Sequence, residues 1–182
     1  MTDDVKKRLD VVLVAGGKYH DIDFARLELL KLLAEDDRIR TRVYEDYSNL
    51  HAISNADFLI TYTCDVRPTL EQQKVLRDFV ANGKRWLALH GTNSILQFLS
   101  DGRVDCPRVA PIFMETLGSQ FLSHPPIEPY TVTVADGDHH LVEGVEPFET
   151  NDELYLMETH GELHVLLETE FEGNTPGFVE EN

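Results

Sequence analysis

Cysteine is nearly absent from this chain: Cys64 and Cys106 are the two in 182 residues. Two thiols do not make the disulfide framework of a small secreted domain, and their scarcity agrees with a reducing compartment. Long apolar runs are missing as well, since no stretch approaches the roughly 18 to 20 residues that a membrane-spanning helix requires. The N-terminal Met1-Thr-Asp-Asp-Val-Lys-Lys-Arg8 leads directly into a strand pattern with no secretory apolar region between. A cytoplasmic location without a membrane partner is therefore the expectation. Positive charge is also scarce: 16 Lys and Arg stand against 33 Asp and Glu, a formal net charge of −17. Such a field repels phosphate backbones and anionic headgroups over about a Debye length. The densest basic groups, Lys6-Lys7-Arg8 and Arg38, Arg40 and Arg42, are too scattered to make a patch, so nucleic acid is not an expected partner. The acidity itself reads as a solvated, solubility-promoting surface.

What remains is globular. Hydrophobic residues make up 42% and charged residues 27% of the chain, too apolar for intrinsic disorder. The length suits one core, and no internal repeat or low-complexity linker marks a boundary, so residues 1–182 are expected to form a single domain.

The pattern along the chain alternates strand and helix. Leu9 to Ala15 is a short β-branched run that stops at Gly16-Gly17, as a buried parallel strand does at a tight turn into a helix. From Phe24 to Ala34 apolar residues recur at helical spacing (Phe24, Leu27, Leu30, Leu33), with Asp21 or Asp23 placed to cap the start. Arg40 to Asp46 and Ala56 to Tyr62 read as strands, with a short helix or loop over Leu50 to Asn55 between them. The spacing predicts the clearest helix over Pro68 to Gly83, opened by Thr69 with Glu71 and Gln72 and closed by Asn-Gly. Arg85 to Leu89 is a further strand that turns at His90-Gly91-Thr92. Alternation of this kind implies parallel pairing, because a parallel neighbour is reached only over the face of the sheet.

After Ser94 the pattern loosens. Residues 100–129 hold five prolines, Pro107, Pro111, Pro125, Pro126 and Pro129, so loops are expected there with one short helix near Ile112 to Leu117. Tyr130 to Val134, Glu153 to Met157 and His164 to Glu168 are strand candidates, and Asp138-His139-His140 begins a turn.

In an open parallel sheet, functional groups gather at the carboxyl ends of the strands. Four segments meet that condition: Gly16 to Asp21, Tyr62 to Asp65, Leu89 to Thr92 and Phe121 to Pro126. Taken in order, Val-Ala-Gly16-Gly17-Lys-Tyr-His20-Asp21, Ala-Leu-His90-Gly91-Thr92, Gly118-Ser-Gln-Phe-Leu-Ser-His124-Pro125-Pro126, Asp138-His139-His-Leu-Val-Glu-Gly144 and Asn-Asp152-Glu153-Leu-Tyr155 resemble the ThuA-like family in motif and in sequence order. The resemblance runs from about Val11 to Leu167, and two departures accompany it. His139-His140 stands where the family pattern usually has His-Pro, and the proline-tryptophan strand and glycine-rich end segment of the family are not found, which implies a truncated C-terminus or a terminal strand supplied in another way.

The resemblance implies a doubly wound α/β fold, a mostly parallel sheet with helices on both faces, of the class I glutamine amidotransferase-like and flavodoxin-like type. It also implies a place in trehalose or related sugar utilisation, with a small-molecule sugar as the partner. Glutamine amidotransferases of this fold carry a cysteine nucleophile at the sharp turn after a central strand. Here that turn is Leu89-His90-Gly91-Thr92, so glutaminase chemistry by the usual thiol route is excluded.

His90, His20 and Asp21 are the expected catalytic residues, His90 as general base and Asp21 as the group that orients a histidine. Gly16, Gly17, Cys64, Gly91, Thr92, Asp152 and Glu153 are expected to line the substrate site. His20, His90 and His124 together would suit a divalent metal such as zinc, three imidazoles leaving one position open. At each of these positions a structural role competes. Asp21 would serve equally as a helix cap with His20 incidental, Cys64 as a small apolar residue, and Asp152-Glu153 as a solvated strand edge. If an enzyme, the chain would be a His-dependent hydrolase, lyase or isomerase; otherwise it is a non-catalytic sugar-binding or assembly module. Association into a homo-oligomer is left open by the sequence.

Overall fold

The computed structural model describes residues 7–179. The first six residues, on which the expectation about a leader rests, and the last three lie outside the described residues. The chain packs as two compact units, Met1–Ile95 with Arg108–Leu117, and Leu96–Pro107 with Gly118–Asn182.

In the first unit the elements run β1 (Leu9–Gly17), α1 (Ile22–Leu33), β2 (Ile39–Tyr44), α2 (Leu50–Asn55), β3 (Phe58–Cys64), α3 (Leu70–Ala81) and β4 (Arg85–Leu89). The four strands form one sheet in the order β2-β1-β3-β4, and every pairing is parallel. This is the order in which a flavodoxin-type sheet begins. Alternation along β1 sends its side chains to two different cores. Val12 and Val14 pack with Ala52, Ile53, Leu76 and Phe79 on the face of α2 and α3, while Val11, Leu13 and Ala15 pack with Leu33 of α1 on the other face. Helices therefore cover both faces, as a doubly wound α/β sheet requires. Fully buried aliphatic side chains such as Leu13 and Leu59, each 0% exposed, contribute about 1.5–3 kcal/mol apiece. A last helix of this unit, α4, which follows the two short strands introduced below, spans Pro111–Leu117 and places Phe113 and Met114 in the α2/α3 core.

Two details differ from expectation, and the ends of α3 agree with it. Strand β1 continues through both glycines, with Gly16 opposite Thr63 and Gly17 opposite Cys64. The buried stripe of α1 is rotated: Phe24 and Leu27 are exposed, at 62% and 52%, and the core side is formed by Ile22, Leu29, Leu30 and Leu33. Helix α3 starts at the capping box of Thr69 and Gln72 and ends at Asn82. There Gly83 N–H donates to Val80 and Lys84 N–H to Phe79, the paired bonds of a glycine-terminated helix.

The second unit is built of short antiparallel pairs: β5 (Gln97–Phe98) with β6 (Val104–Asp105), β7 (Ser119–Ser123) with β10 (Leu156–Thr159), and a three-stranded sheet in the order β11 (Leu167–Glu168), β8 (Glu128–Val134), β9 (Phe148–Asp152). Strands β6 and β7 fall in the proline-rich stretch where loops are expected, and β9 is an additional strand. Pro129 is tolerated within β8 because it lies opposite Asn151 of β9, whereas β11 pairs only with Val134 and Thr133 at the far end. Cys106, Phe121 and Phe178 form the small core, with Tyr155 packed against it.

Candidate functional site

Because β1, β3 and β4 are neighbours in the sheet, the loops leaving their carboxyl ends emerge side by side. At those three ends the backbone is strained. Among the described residues, the non-glycine positions with positive φ are Tyr19 (69°), Asp65 (55°) and His90 (46°), which follow β1, β3 and β4 respectively. An L-residue in this region costs roughly 1–2 kcal/mol, and such positions persist only where surrounding structure over-determines them.

The glycines explain how the loops come so close. A Cβ on Gly16 would fall 2.0 Å from the Glu45 carbonyl oxygen. One on Gly17, whose φ is +107°, would fall 1.9 Å from the Cys64 carbonyl oxygen. That Cys64 carbonyl accepts a hydrogen bond from Lys18 N–H at 3.0 Å. The Lys18 ammonium then donates to the Asp65 carboxylate at 3.0 Å, joining the loop after β1 to the loop after β3. This hydrogen bond, with the Asp65 charge, raises the Lys18 pKa above the usual lysine value. Arg67 makes a second ion pair to Asp65 at 3.4 Å.

On this frame sit three rings. His20 meets His90 edge to face, centroids 4.5 Å apart at 72°, and a ring nitrogen of each lies within 4.8 Å of the other's. Tyr62, the antepenultimate residue of β3, stacks on His90 with centroids 5.9 Å apart at 21° and stands edge-on to His20 at 6.2 Å. Both histidines are half-buried. The structure thus brings His20 and His90 together.

Of the two roles expected for Asp21, helix cap and orienting carboxylate, the cap is the one seen. Its carboxylate accepts from Phe24 N–H at 3.0 Å and caps α1. Nδ1 of the His20 ring lies 3.3 Å from the Lys18 carbonyl. Beside these residues lies a polar cleft of about 330 Å³ lined by Gly16, Gly17, His20, Asp21, Arg26 and Glu45 among others. Arg26 anchors its wall, donating to the Ala15 carbonyl at 2.8 Å and to Asp23 at 2.6 Å. Lys18 and Tyr62 fall within the segments read as strand-ending loops, but the sequence alone assigns them no role there and does not mark Arg26.

Gly91, Thr92 and Cys64 lie beneath the rings. Thr92 is 3% exposed, and its hydroxyl hydrogen-bonds the Leu89 carbonyl at 2.8 Å and lies 3.1 Å from the Thr61 hydroxyl. It fastens β4 to β3. Cys64 is 2% exposed, and a Cβ on Gly91 would come within 3.0 Å of its Cβ. None of the three is among the residues that line the cleft.

His124, Asp152 and Glu153 belong to the second unit. His124 Nδ1 lies 2.7 Å from the Pro125 carbonyl. A carbonyl only accepts, so Nδ1 is the donor in this contact. Nε2 lies 3.7 Å from a Glu153 carboxylate oxygen, and Tyr155 donates its hydroxyl hydrogen to the other oxygen at 3.2 Å. The ring packs edge-on against Phe178 at 5.0 Å. Asp152 is exposed at the end of β9, where it accepts from Glu153 N–H at 2.8 Å. His139 is a cap in fact, its Nδ1 accepting from Leu141 N–H at 3.2 Å.

No helix among the described residues is long and apolar enough to cross a membrane. A search of curated proteins finds no match. Two solved structures resemble the fold: a ThuA-like protein from Bacteroides uniformis ATCC 8492, with a TM-score of 0.69 and 17% identity over 90% of this chain and 69% of that one, and a ThuA-like protein from Parabacteroides merdae ATCC 43184, with a TM-score of 0.62 and 16% identity over 90% and 68%. At such identities they speak for the fold alone. The family model described as ThuA, trehalose utilisation, matches residues 10–181, nearly the whole chain, and the chain therefore belongs to the ThuA family.

Proposed function

We propose that the chain acts on a sugar or oxidised sugar derivative at the carboxyl ends of β1, β3 and β4, with His90 as general base and His20 assisting it. The observation that carries this reading is the His20–His90 ring pair, 4.5 Å apart, on a rim where the backbone is held at positive φ in three adjacent loops. Strain of this kind is maintained where side chains must be aimed. An imidazole moves protons near neutral pH, and a half-buried pair can pass one between its members. The proton would come from a sugar hydroxyl, or from a carbon beside a carbonyl in a keto sugar. The sugar class follows from the family description; the proton chemistry follows from the two rings.

A divalent metal such as zinc fits the donor chemistry in part. Within the first unit, His20 and His90 provide two of the three protein ligands that a catalytic zinc site usually keeps. When bound, such an ion would polarise a substrate oxygen; orienting the rings remains the work of the Lys18 carbonyl and the Tyr62 face.

The test is solvent exchange. Purified protein is incubated in D₂O with reducing and keto sugars, and deuterium incorporation is followed by NMR, alongside elemental analysis for bound metal. Wild type should incorporate deuterium, His90→Ala should lose at least about a hundredfold in rate, as removal of a general base does, and His20→Ala somewhat less. Unchanged exchange in His90→Ala would remove the catalytic assignment. Ligand binding that collapses in that variant without any turnover in wild type would favour the second reading, a binding module on a scaffold whose turn holds His90 and Gly91 in place of a nucleophile.

A further inference from the structure

The second unit contains a cleft of about 290 Å³ that the histidine reading does not use, lined by Glu128, Pro129, Tyr130, Phe171, Glu172 and Asn174 among others. Its volume lies at the lower end of the roughly 300–1,000 Å³ typical of small-molecule sites, room for about one ring-sized ligand. One wall belongs to a strand ladder. Pro129 and Tyr130 are held in the β8–β9 ladder opposite Asn151 and Thr150. Burial, and after it the charge of Asp152, raises the Tyr130 phenol above its ordinary pKa, so the ring lies in a partly desolvated setting. Phe171 folds back over Gly173, where a Cβ would come within 2.9 Å of the ring's Cζ. Only a residue without a side chain leaves the ring that position.

On a base of three prolines and Leu154, the lining sets two aromatic rings with two carboxylates and a carboxamide. Aromatic faces stack against the C–H face of a pyranose, and carboxylates and carboxamides hydrogen-bond its hydroxyls. No Lys or Arg is among the lining residues. The paired carboxylates Glu128 and Glu172, in a chain of net charge −17, repel anions. A phosphate or an acid sugar is therefore a poor occupant, and a flat apolar ligand would leave the carboxylates unpaired.

We propose that this cleft is a binding subsite for a neutral, unphosphorylated saccharide, one ring resting on Phe171 and Tyr130 and its hydroxyls held by Glu128, Glu172 and Asn174. The subsite takes part in no proton transfer and stands independently of the histidine pair.

The experiment is calorimetric titration and saturation-transfer NMR on the whole chain with trehalose, glucose and glucose 6-phosphate, in the presence of EDTA so that a cation held by the two carboxylates plays no part. Trehalose or glucose should bind with a Kd of about 1 mM, and glucose 6-phosphate at least about tenfold more weakly. Phe171→Ala and Glu172→Gln alter exposed side chains and should fold normally by circular dichroism, while weakening the neutral sugar by about tenfold and about fivefold. Phe171→Tyr should restore binding, and Leu141→Ala, an exposed side chain outside the lining, should leave it unchanged. The proposal is overturned if neither neutral sugar binds saturably, if glucose 6-phosphate binds as well as glucose, or if Phe171→Ala binds like wild type. Binding that vanishes in His90→Ala but survives in Phe171→Ala would also overturn it, by placing the sugar at the histidine rim instead.

Discussion

Replacing Gly17 by alanine tests the close approach of β1 and β3, on which the whole rim depends. Two penalties coincide at this residue: its φ is +107°, and the new Cβ would lie 1.9 Å from the Cys64 carbonyl oxygen, a backbone atom that no rotamer change can move. Backbone strain costs about 1–3 kcal/mol, the forced separation about 1–3, and loss of the Lys18 N–H to Cys64 bond about 0.5–1.5, a sum of about 3–7 kcal/mol. That is a large part of the roughly 5–15 kcal/mol by which a domain is stable. At an m-value of about 2 kcal/mol/M, the urea midpoint should fall by about 1.5–3.5 M. Two other glycines separate the causes. Gly83 has φ +78° with nothing within 4 Å of a Cβ, so Gly83→Ala should show strain alone, about 1 kcal/mol. Gly137 has ordinary φ and open space, so Gly137→Ala should be neutral or stabilising by about 0.4–1 kcal/mol through the unfolded chain. Urea unfolding of all three decides the matter. If Gly17→Ala costs no more than Gly83→Ala, the strands are not in contact at this point and the argument for a crowded rim is wrong.

The remaining expectations concern single side chains. Tyr47 is 1% exposed with its hydroxyl 3.2 Å from that of Thr63, and burial raises its pKa well beyond the usual tyrosine value. Stability should be complete below about pH 10 and fall above it, as the unfolded chain ionises and the folded one does not; Tyr47→Phe should remove this alkaline limb and cost about 1 kcal/mol at neutral pH by thermal unfolding. Asp57 accepts from Asp10 N–H at 2.8 Å, and this bond holds its pKa below the usual carboxylate value. Its contribution is present above about pH 3.9 and lost as pH falls through the lower folded value, so the urea midpoints of wild type and Asp57→Asn should converge in acid; a gap independent of pH would refute the linkage. His90 at φ 46° predicts that His90→Gly is more stable than His90→Ala by about 1 kcal/mol in calorimetry, with His90→Asn between them; equal stabilities would show that the turn is not strained.

How much of the fold could be read beforehand depended on how local its causes are. Helix α3 and strand β4 were legible because cap, period and stop lie within a few consecutive residues, from Thr69 to Gly83 and from Arg85 to Leu89. Helix α1 was legible as a helix but not in its facing, because Phe24 and Leu27 continue the apolar period onto a side that nothing in the first unit covers. Strands β6, β7 and β9 were not legible. They have two to five residues each; β6 pairs with β5 across a short turn, Phe98 opposite Val104, but β7 and β9 bond to partners far along the chain, as from Ser119 to Thr159, so no short window of the sequence contains the reason for those two.

The same distinction separates the parts of the site. His20 and His90 were visible because each follows a strand-ending turn with glycine, and the parallel order β2-β1-β3-β4 makes those turns neighbours. Tyr62, Lys18 and Arg26 were hidden because their roles arise only from that neighbourhood. Tyr62 has a ring partner because β4 ends beside β3; Lys18 reaches Asp65 because Gly17 lets the two loops touch; Arg26 reaches from α1 back to the Ala15 carbonyl of β1. Asp21 shows the converse. Its proximity to His20 in sequence suggested an orienting carboxylate, yet a free N–H at the start of α1 lies nearer to hand, and Phe24 N–H takes the oxygen. A side chain adjacent in sequence to a catalytic candidate thus competes first with the unsatisfied backbone around it. A backbone carbonyl, that of Lys18, does lie against the His20 ring, in the loop that the glycine pair allows to fold tightly. For that reason substitutions at Gly17 should disturb the ring pair more than substitutions at Asp21, although only the aspartate has a side chain with chemistry of its own.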